Sequence, residues 1–421
     1  MKRRRSLTHV GGPVETTGDR QVAALLAHAL DVAPPSEVAR ESAGRAPATA
    51  DDADRVHVHG FHTYPARMHP VTAARLVAAA SQAGQMLLDP FCGSGTVIVE
   101  AMIAGRQVTG TDLNPLAIRL ARLKTTPRGK AACHEIVAAA QSIAAMADQR
   151  REQRAGSSRS YPREDVAAFD PHVLLELDSL RAGIGGLRGG TSGSNVREAL
   201  ELVLSAILLK VSRKTSDTSD ARAPRRIAAG YPARLFARKA DELSRRLAEF
   251  AALLGPDATP SRVTVDDAAR LRTVAAGSVD AVVTSPPYVA TYDYLAHHAL
   301  RMRWLEIDAR ELHAGEMGAR RRYATLDPRA AHDAWSRELD ATLREMSRVC
   351  RKGGRIVLLV ADSAVRGEAL RADSMVAAVA SKSGLALIAR ASQRRPHFHG
   401  PTADAFRRLP RAEHAIALEK R

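Results

Sequence analysis

Two short stretches of the chain combine residue types and spacings that suit chemistry. The first is Asp89-Pro90-Phe91-Cys92-Gly93-Ser94-Gly95-Thr96, between the apolar run Met86-Leu87-Leu88 and a helical pattern from Val97 to Ala104. Glycines at 93 and 95 let a backbone turn sharply and approach a ligand with no Cβ in the way. The free N–H groups of the helix that follows suit a carboxylate. A second strand, Gln107 to Thr111, leads into Asp112-Leu113-Asn114-Pro115. An acidic residue about 20 positions on from such a turn suits hydrogen bonds to ribose hydroxyls. The third glycine of a dinucleotide fingerprint and the Lys-Ser/Thr of a P-loop are both missing, which argues against NAD and ATP.

The second stretch is Ser285-Pro286-Pro287-Tyr288, directly after the apolar run Val279 to Thr284. Two prolines fix φ and remove two backbone donors, so the carbonyls present a rigid acceptor surface. An attacking amine needs such acceptors, because they hold its N–H protons while its lone pair turns to an electrophile. Tyr288 offers a face on which a planar base could stack. Aromatic residues make up only 4% of the chain, yet Tyr288, Tyr292, Tyr294 and Trp304 fall within 17 positions, as a base-binding wall would require.

Elements that position these loops can be read from periodicity. A helix over Pro70 to Ala83, the two strands and the helix between them form a β-α-β run, the mark of a parallel sheet flanked by helices. From Gly129 to Ser261 only helical periodicity appears: Ala131 to Arg150, Pro171 to Arg181, Asn195 to Ser212 and Tyr231 to Leu254. Strand patterns return at Arg262 to Val265 and Val279 to Thr284. A long helix, Asp333 to Cys350, is read as stopping at Lys352-Gly353-Gly354. Strands over Arg355 to Ala361, Leu385 to Ala389 and His414 to Leu418 complete the pattern. The expected organisation is a peripheral N-terminal arm and linker over 1–55, an α/β core over 56–128 and 262–421, and a helical insertion over 129–261. Within the arm, one amphipathic helix spans Gln21 to Val32, and Pro34-Pro35 opens the linker.

Composition narrows the setting. The 62 basic residues exceed the 46 acidic ones, giving a net charge of +16, which favours a polyanionic partner such as nucleic acid. No apolar run approaches the roughly 18 residues that span a bilayer. After Met1-Lys2-Arg3-Arg4-Arg5 comes polar sequence rather than the apolar core of a secretion signal. Cys92, Cys133 and Cys350 lack paired spacing, so neither disulfides nor a zinc site is signalled, and a reducing cytoplasm fits. His57, His59, His297 and His298 show no metal-ligand spacing. Arginine clusters at Arg213 to Arg226, Arg320 to Arg322, Arg394-Arg395 and Arg407-Arg408 are candidates for nucleic-acid contact.

Together the two loops resemble the amino-group DNA methyltransferases. Asp89–Thr96 is similar to the cofactor motif of that family and Ser285–Tyr288 to its catalytic motif. His62-Thr63-Tyr64-Pro65-Ala66-Arg67 resembles the element that closes over the methionine part of the cofactor. Asp266-Asp267-Ala268 resembles the family's acidic motif, Asp267 being the closer match. The resemblance implies a Rossmann-like α/β sheet with helices on both faces and S-adenosyl-L-methionine as cofactor. Under it, Tyr64, Asp89, Pro90, Phe91, Gly93, Ser94, Gly95 and Thr96 hold the methionine portion, Asp112 the ribose and Asp267 the adenine edge. Ser285, Pro286, Pro287 and Tyr288 are then catalytic, and no metal takes part. Ser-Pro-Pro-Tyr is typical of cytosine-N4 enzymes, whereas adenine-N6 enzymes mostly carry Asp or Asn first. The resemblance therefore implies transfer of a methyl group to N4 of cytosine in DNA. The alternatives are adenine N6 in DNA, a base of RNA or tRNA, and nucleic-acid binding on an inactive scaffold. DNA is the implied partner, RNA the alternative, and a cognate restriction nuclease a further candidate. The insertion begins before the acidic motif, unlike the family's usual arrangement, and reads as a target-recognition region or as a cap on the sheet.

Overall fold

A computed structural model describes residues 12–32, 56–187, 191–214, 226–255, 258–396 and 400–421. Its strands are β1 (Val14–Gly18), β2 (Met86–Asp89), β3 (Gln107–Asp112), β4 (Arg262–Val265), β5 (Val279–Thr284), β6 (Cys350–Ala361), β7 (Ser363–Val365), β8 (Glu368–Leu370), β9 (Leu385–Arg394) and β10 (Ala412–Lys420). Eight of them form one sheet in the order β1-β9-β10-β6-β5-β2-β3-β4, and β7 and β8 pair as a separate hairpin. β4, β3, β2, β5 and β6 are mutually parallel, whereas β10 runs antiparallel to both β6 and β9. The fold is Rossmann-like: the chain steps outward from β2 to β3 to β4, then crosses back to β5 on the other side of β2.

That reversal fixes where a ligand belongs. Open parallel sheets bind ligands at the carboxyl ends of the strands, at the switch point. Here it lies between β2 and β5, paired through Leu87↔Ala281 and Leu88↔Val282. Strand β5 is apolar on both faces because helices cover both, and Ala281, Val282 and Val283 are wholly buried. Helices Pro70–Ala80, Thr96–Ile103 and Pro115–Thr125 contribute to the core on one face. Pro328–Val349 and Ala372–Ala380 build the other. In the long helix Trp335, Leu339, Leu343 and Met346 recur at helical spacing and form its buried stripe.

Two expectations need correction. Residues 14–30 are not peripheral: β1 pairs antiparallel with β9, and helix Arg20–Leu30 buries Val22, Ala23, Leu26, Ala29 and Leu30 in the main core. The polar sequence of β1, Val-Glu-Thr-Thr-Gly, hides an edge strand, because only backbone pairing recruits it. The long helix also ends at Val349, and Cys350 to Gly354 already belong to β6. Gly353 and Gly354 serve an irregularity in that strand, not a helix stop. The β5–β6 register shifts there, and a Cβ on Gly354 would lie 2.7 Å from the Asp280 carbonyl oxygen.

Between β3 and β4, after Pro115–Thr125, the described regular elements are helices: Lys130–Glu152, Arg163–Ala168, Pro171–Gly185, Thr191–Val211 and Tyr231–Leu253. Their buried side chains, Ile136, Leu204 and Phe236 among them, belong to the same hydrophobic cluster as the sheet face. The Pro34-Pro35 linker lies outside the described residues. Among those described, no helix is long and apolar enough to cross a membrane.

Candidate active site

At the carboxyl edge of the sheet, three strand ends are tied together by the side chains that could work there. Asp89 closes β2 and accepts hydrogen bonds from the Thr284 hydroxyl at the end of β5 (2.6 Å) and from Phe91 N–H (3.2 Å). Asp112 closes β3 and accepts from Gly93 N–H and Asn114 N–H, both at 2.8 Å. Asp266, just past β4, donates its N–H to the Asp112 carbonyl. The glycine loop is therefore held by the acidic end of the neighbouring strand before any ligand arrives. Gly95 caps helix Thr96–Ile103 at φ +86°, and a Cβ there would press on Ala121 at 3.1 Å.

These groups face a cleft of about 290 Å³. Of the residues expected to hold a cofactor, Tyr64, Asp89, Pro90, Phe91, Gly93, Ser94, Thr96, Asp112 and Asp267 line it, and Gly95 shapes the turn from behind. Of the four expected catalytic residues, Ser285 and Pro287 line it as well. Pro286 is buried, and Tyr288 is half-buried with its hydroxyl 3.5 Å from a Glu413 carboxylate oxygen. Burial lifts the Asp89 carboxyl to about 7 and the Asp112 carboxyl to about 6, each partly offset by the hydrogen bonds it accepts.

An aromatic stack closes one wall. The Tyr64 ring lies 4.8 Å from His298 and 6.1 Å from Tyr294, nearly parallel to both, and its hydroxyl accepts from Asn114 Nδ2 at 3.2 Å. Tyr292 continues the row at 5.7 Å from Tyr294. Ala66 lines the cleft with φ of +53°, and Ala290, just after the Pro-Pro-Tyr loop, has φ of +52°, a left-handed conformation uncommon for side-chain-bearing residues.

Sequence reasoning missed the opposite wall. Glu316, Met317, Arg322 and Glu338 line the same cleft. Glu316 is buried, accepts from Tyr294 N–H and pairs with Arg321. Glu338 accepts from Gly318 N–H (2.9 Å) and the Tyr323 hydroxyl (2.8 Å) and pairs with Arg322. Through these contacts residues 310–323 lie against the Pro-Pro loop: Ala290 N–H donates to the Gly318 carbonyl, and Trp335 Nε1 donates to the Pro287 carbonyl at 3.3 Å. The only sequence signal was a lone glutamate before an arginine run. Glu338 sits on the polar side of an amphipathic helix, where a carboxylate reads as solvent-facing.

The candidate arginines are scattered. Arg321 and Arg322 are engaged with Glu316 and Glu338, Arg395 is buried against Glu413, and Arg213 pairs with Asp170. Arg222 and Arg225 lie outside the described residues. Spacing did not reveal that His57 and His59 meet Glu100, with candidate ligand atoms within 4.8 Å of one another.

Residues 38–123 match a family model described as DNA methylase. Over that stretch the chain is similar to DNA methylases. The matched segment holds the glycine loop, Asp112 and Tyr64, the same residues that frame the cleft. Among curated proteins, the Type II methyltransferase M.MvaI of Kocuria varians is 43% identical over 72 residues, 16% of this chain and 16% of its own length. The tRNA (guanine(10)-N2)-dimethyltransferase of Methanothermobacter thermautotrophicus is 40% identical over 61 residues, 14% of this chain and 18% of its own length. The matches thus span less than a fifth of the relatives' lengths. The rRNA methyltransferase aviRa from Streptomyces viridochromogenes superposes at a TM-score of 0.34 with 14% identity, covering 87% of this chain and 92% of its own. The Rossmann-like assignment of this chain rests on its strand order.

Proposed function

We propose that the protein is an S-adenosylmethionine-dependent methyltransferase acting on the exocyclic N4 amino group of cytosine in DNA. One observation carries this reading: Ser285 and Pro287 after β5 line the same cleft as Asp89 and Asp112 after β2 and β3. The lining suits the cofactor's chemistry. It brings together five carboxyl groups, Asp89, Asp112, Asp267, Glu316 and Glu338, with Arg67 and Arg322 as the lining cations and Arg321 paired to Glu316. A ligand with a sulfonium and an ammonium is favoured in such a field. When bound, S-adenosylmethionine supplies an electrophilic methyl group.

The chain's own residues then do the following. Asp89 and the Phe91–Thr96 loop hold the methionine portion, with Tyr64 closing over it. Asp112 takes the ribose hydroxyls and Asp267 the adenine edge. Ser285 Oγ and the Pro286 carbonyl accept the hydrogens of the target amino group, aim its lone pair along the transfer line and help the displaced proton away. Tyr288 stacks on the base once it is flipped from the helix, which costs a few kcal/mol of stacking. Rate comes from alignment and preset dipoles rather than from a covalent bond to the enzyme. Serine before Pro-Pro-Tyr favours cytosine N4 over adenine N6.

A specific test is nucleoside mass analysis of DNA methylated in vitro. N4-methylcytosine is expected. N6-methyladenine would move the target base, and label confined to RNA would move the substrate towards that of the tRNA-modifying relative.

A further inference from the structure

Beside the cofactor cleft, two histidines and a glutamate converge from separate elements. His57 and His59 stand in the short helical turn His57–Gly60, and Glu100 belongs to helix Thr96–Ile103, which follows the glycine loop. Candidate ligand atoms of all three lie within 4.8 Å of one another. His59 is wholly buried, His57 nearly so, and their rings lie 4.7 Å apart. His59 Nε2 is hydrogen-bonded to Glu100 Oε1 at 2.6 Å. Glu100 is 41 positions along the chain from His59, so no spacing in the sequence signals the trio.

Three features go beyond ordinary core packing. Nδ1 of each ring is buried and meets no hydrogen-bond partner among the described residues, a costly condition that few buried polar groups are left in. His57 holds φ at +29°, a left-handed backbone uncommon in residues that carry a side chain. The backbone under both rings is also pinned, since Arg246 donates to the His57 carbonyl at 2.8 Å and Arg67 to that of His59 at 2.6 Å. The other such trio among the described residues, Asp362, Asp373 and His414, differs: Arg371 already pairs with Asp362, and Arg390 with Asp373.

Donor chemistry selects the ion. Two imidazoles and a carboxylate suit zinc and its first-row neighbours, whereas calcium and magnesium take oxygen ligands. Burial lowers His57 to about 4 and holds His59 well below the ordinary histidine range, so both rings are neutral, the form that binds metal. The charges of Arg67 and Arg246 oppose an ion held by charge alone, and burial disfavours the charged form of Lys124 nearby. Bonds to nitrogen must therefore do the holding. Two ligands of one tetrahedral zinc lie about 3.3 Å apart, so exchanging the proton between His59 and Glu100 for a metal parts them by less than about 1 Å. A cavity lined by His59 leaves room beside the trio for a water in a fourth position.

We propose that His57, His59 and Glu100 form a structural site for a divalent transition metal of the zinc class, fastening the start of residues 57–67 to the helix behind the glycine loop. That segment runs on to Tyr64 and Ala66 in the wall of the cofactor cleft, so the metal stiffens that wall and takes no part in methyl transfer. The site does not rest on the methyl-transfer reading.

Full-length protein stripped with a chelator and titrated with zinc alone tests this. One equivalent should bind and raise the melting midpoint. Glu100→Gln keeps the side chain's shape but loses its charge, and His57→Asn removes a ring while tolerating the left-handed backbone. Each should weaken zinc affinity at least about tenfold, the least that even an outer-shell partner of a metal is worth. Cobalt in place of zinc should give the visible absorption of a four-coordinate site in the wild type and lose it in both variants. Should one variant fail to fold, the other decides. Should both fail, hydrogen exchange over residues 57–67 of the wild type decides: slower exchange with zinc supports the site, and unchanged exchange overturns it. No stoichiometric uptake, or zinc bound equally by the wild type and the folded variants, also overturns it.

Discussion

Asp89 and Asp112 are carboxyl groups that burial makes reluctant to ionise, at about 7 and about 6. A carboxyl whose pKa rises on folding favours the folded state while protonated. Its contribution is present at low pH and fades as pH climbs from about 4, the unfolded value, towards these folded values. The ligand-free protein should therefore lose stability over that window through these two groups, and Asp89→Asn should flatten the loss in a melting series against pH. A cationic cofactor favours the ionised forms, so its affinity should strengthen as pH rises from about 5.5 to about 7.5. Calorimetric titration showing affinity unchanged or falling over that range would contradict their role. Gly318 offers a second test. At φ +63°, a Cβ on it would meet the Tyr288 carbonyl oxygen at 3.0 Å and that of Pro287 at 3.2 Å. Gly318→Ala should displace the Pro-Pro loop and cut kcat on the order of 10- to 100-fold with cofactor affinity retained. Unimpaired turnover would show that the loop needs no support from residues 310–323.

Elements differ in how far the sequence revealed them. The two chemical loops were legible because their chemistry demands particular residue types: glycine where a turn must lie close to a ligand, proline where carbonyls must be rigid. Strands β2 and β5 were legible because burial on both faces leaves them largely apolar, and β3 from its place between a helix and Asp112. β1 was not, since an edge strand held by backbone bonds needs no side-chain pattern. Helix Arg20–Leu30 showed its apolar stripe, but nothing local says what the stripe packs against. Glu316 and Glu338 reach the cleft through tertiary packing, which periodicity does not encode. The corrected N-terminus makes its own prediction. Leu26 is fully buried, and Leu26→Ala should cost about 2–5 kcal/mol of stability by chemical denaturation. Removal of residues 1–18 should expose the β9 edge and promote aggregation, visible by light scattering. A truncated protein as stable and monodisperse as the full chain would return these residues to the periphery.

Across the whole molecule, charge is sorted more sharply than the net +16 conveys. The cleft at the switch point is lined by five carboxyl groups and two arginines. In the proposed complex that cleft holds a cationic cofactor. Binding to DNA should weaken steeply as salt rises. The central claim is methyl transfer to DNA at the cleft shared by Ser285 and Asp112. Its most direct test uses labelled S-adenosylmethionine, unmethylated genomic DNA, wild-type protein and Ser285→Ala. Label should be recovered as N4-methylcytosine, reduced on the order of 100-fold or more in the variant while cofactor binding persists. Equal labelling by both proteins, or no transfer to DNA from a wild type that binds the cofactor, would contradict the claim.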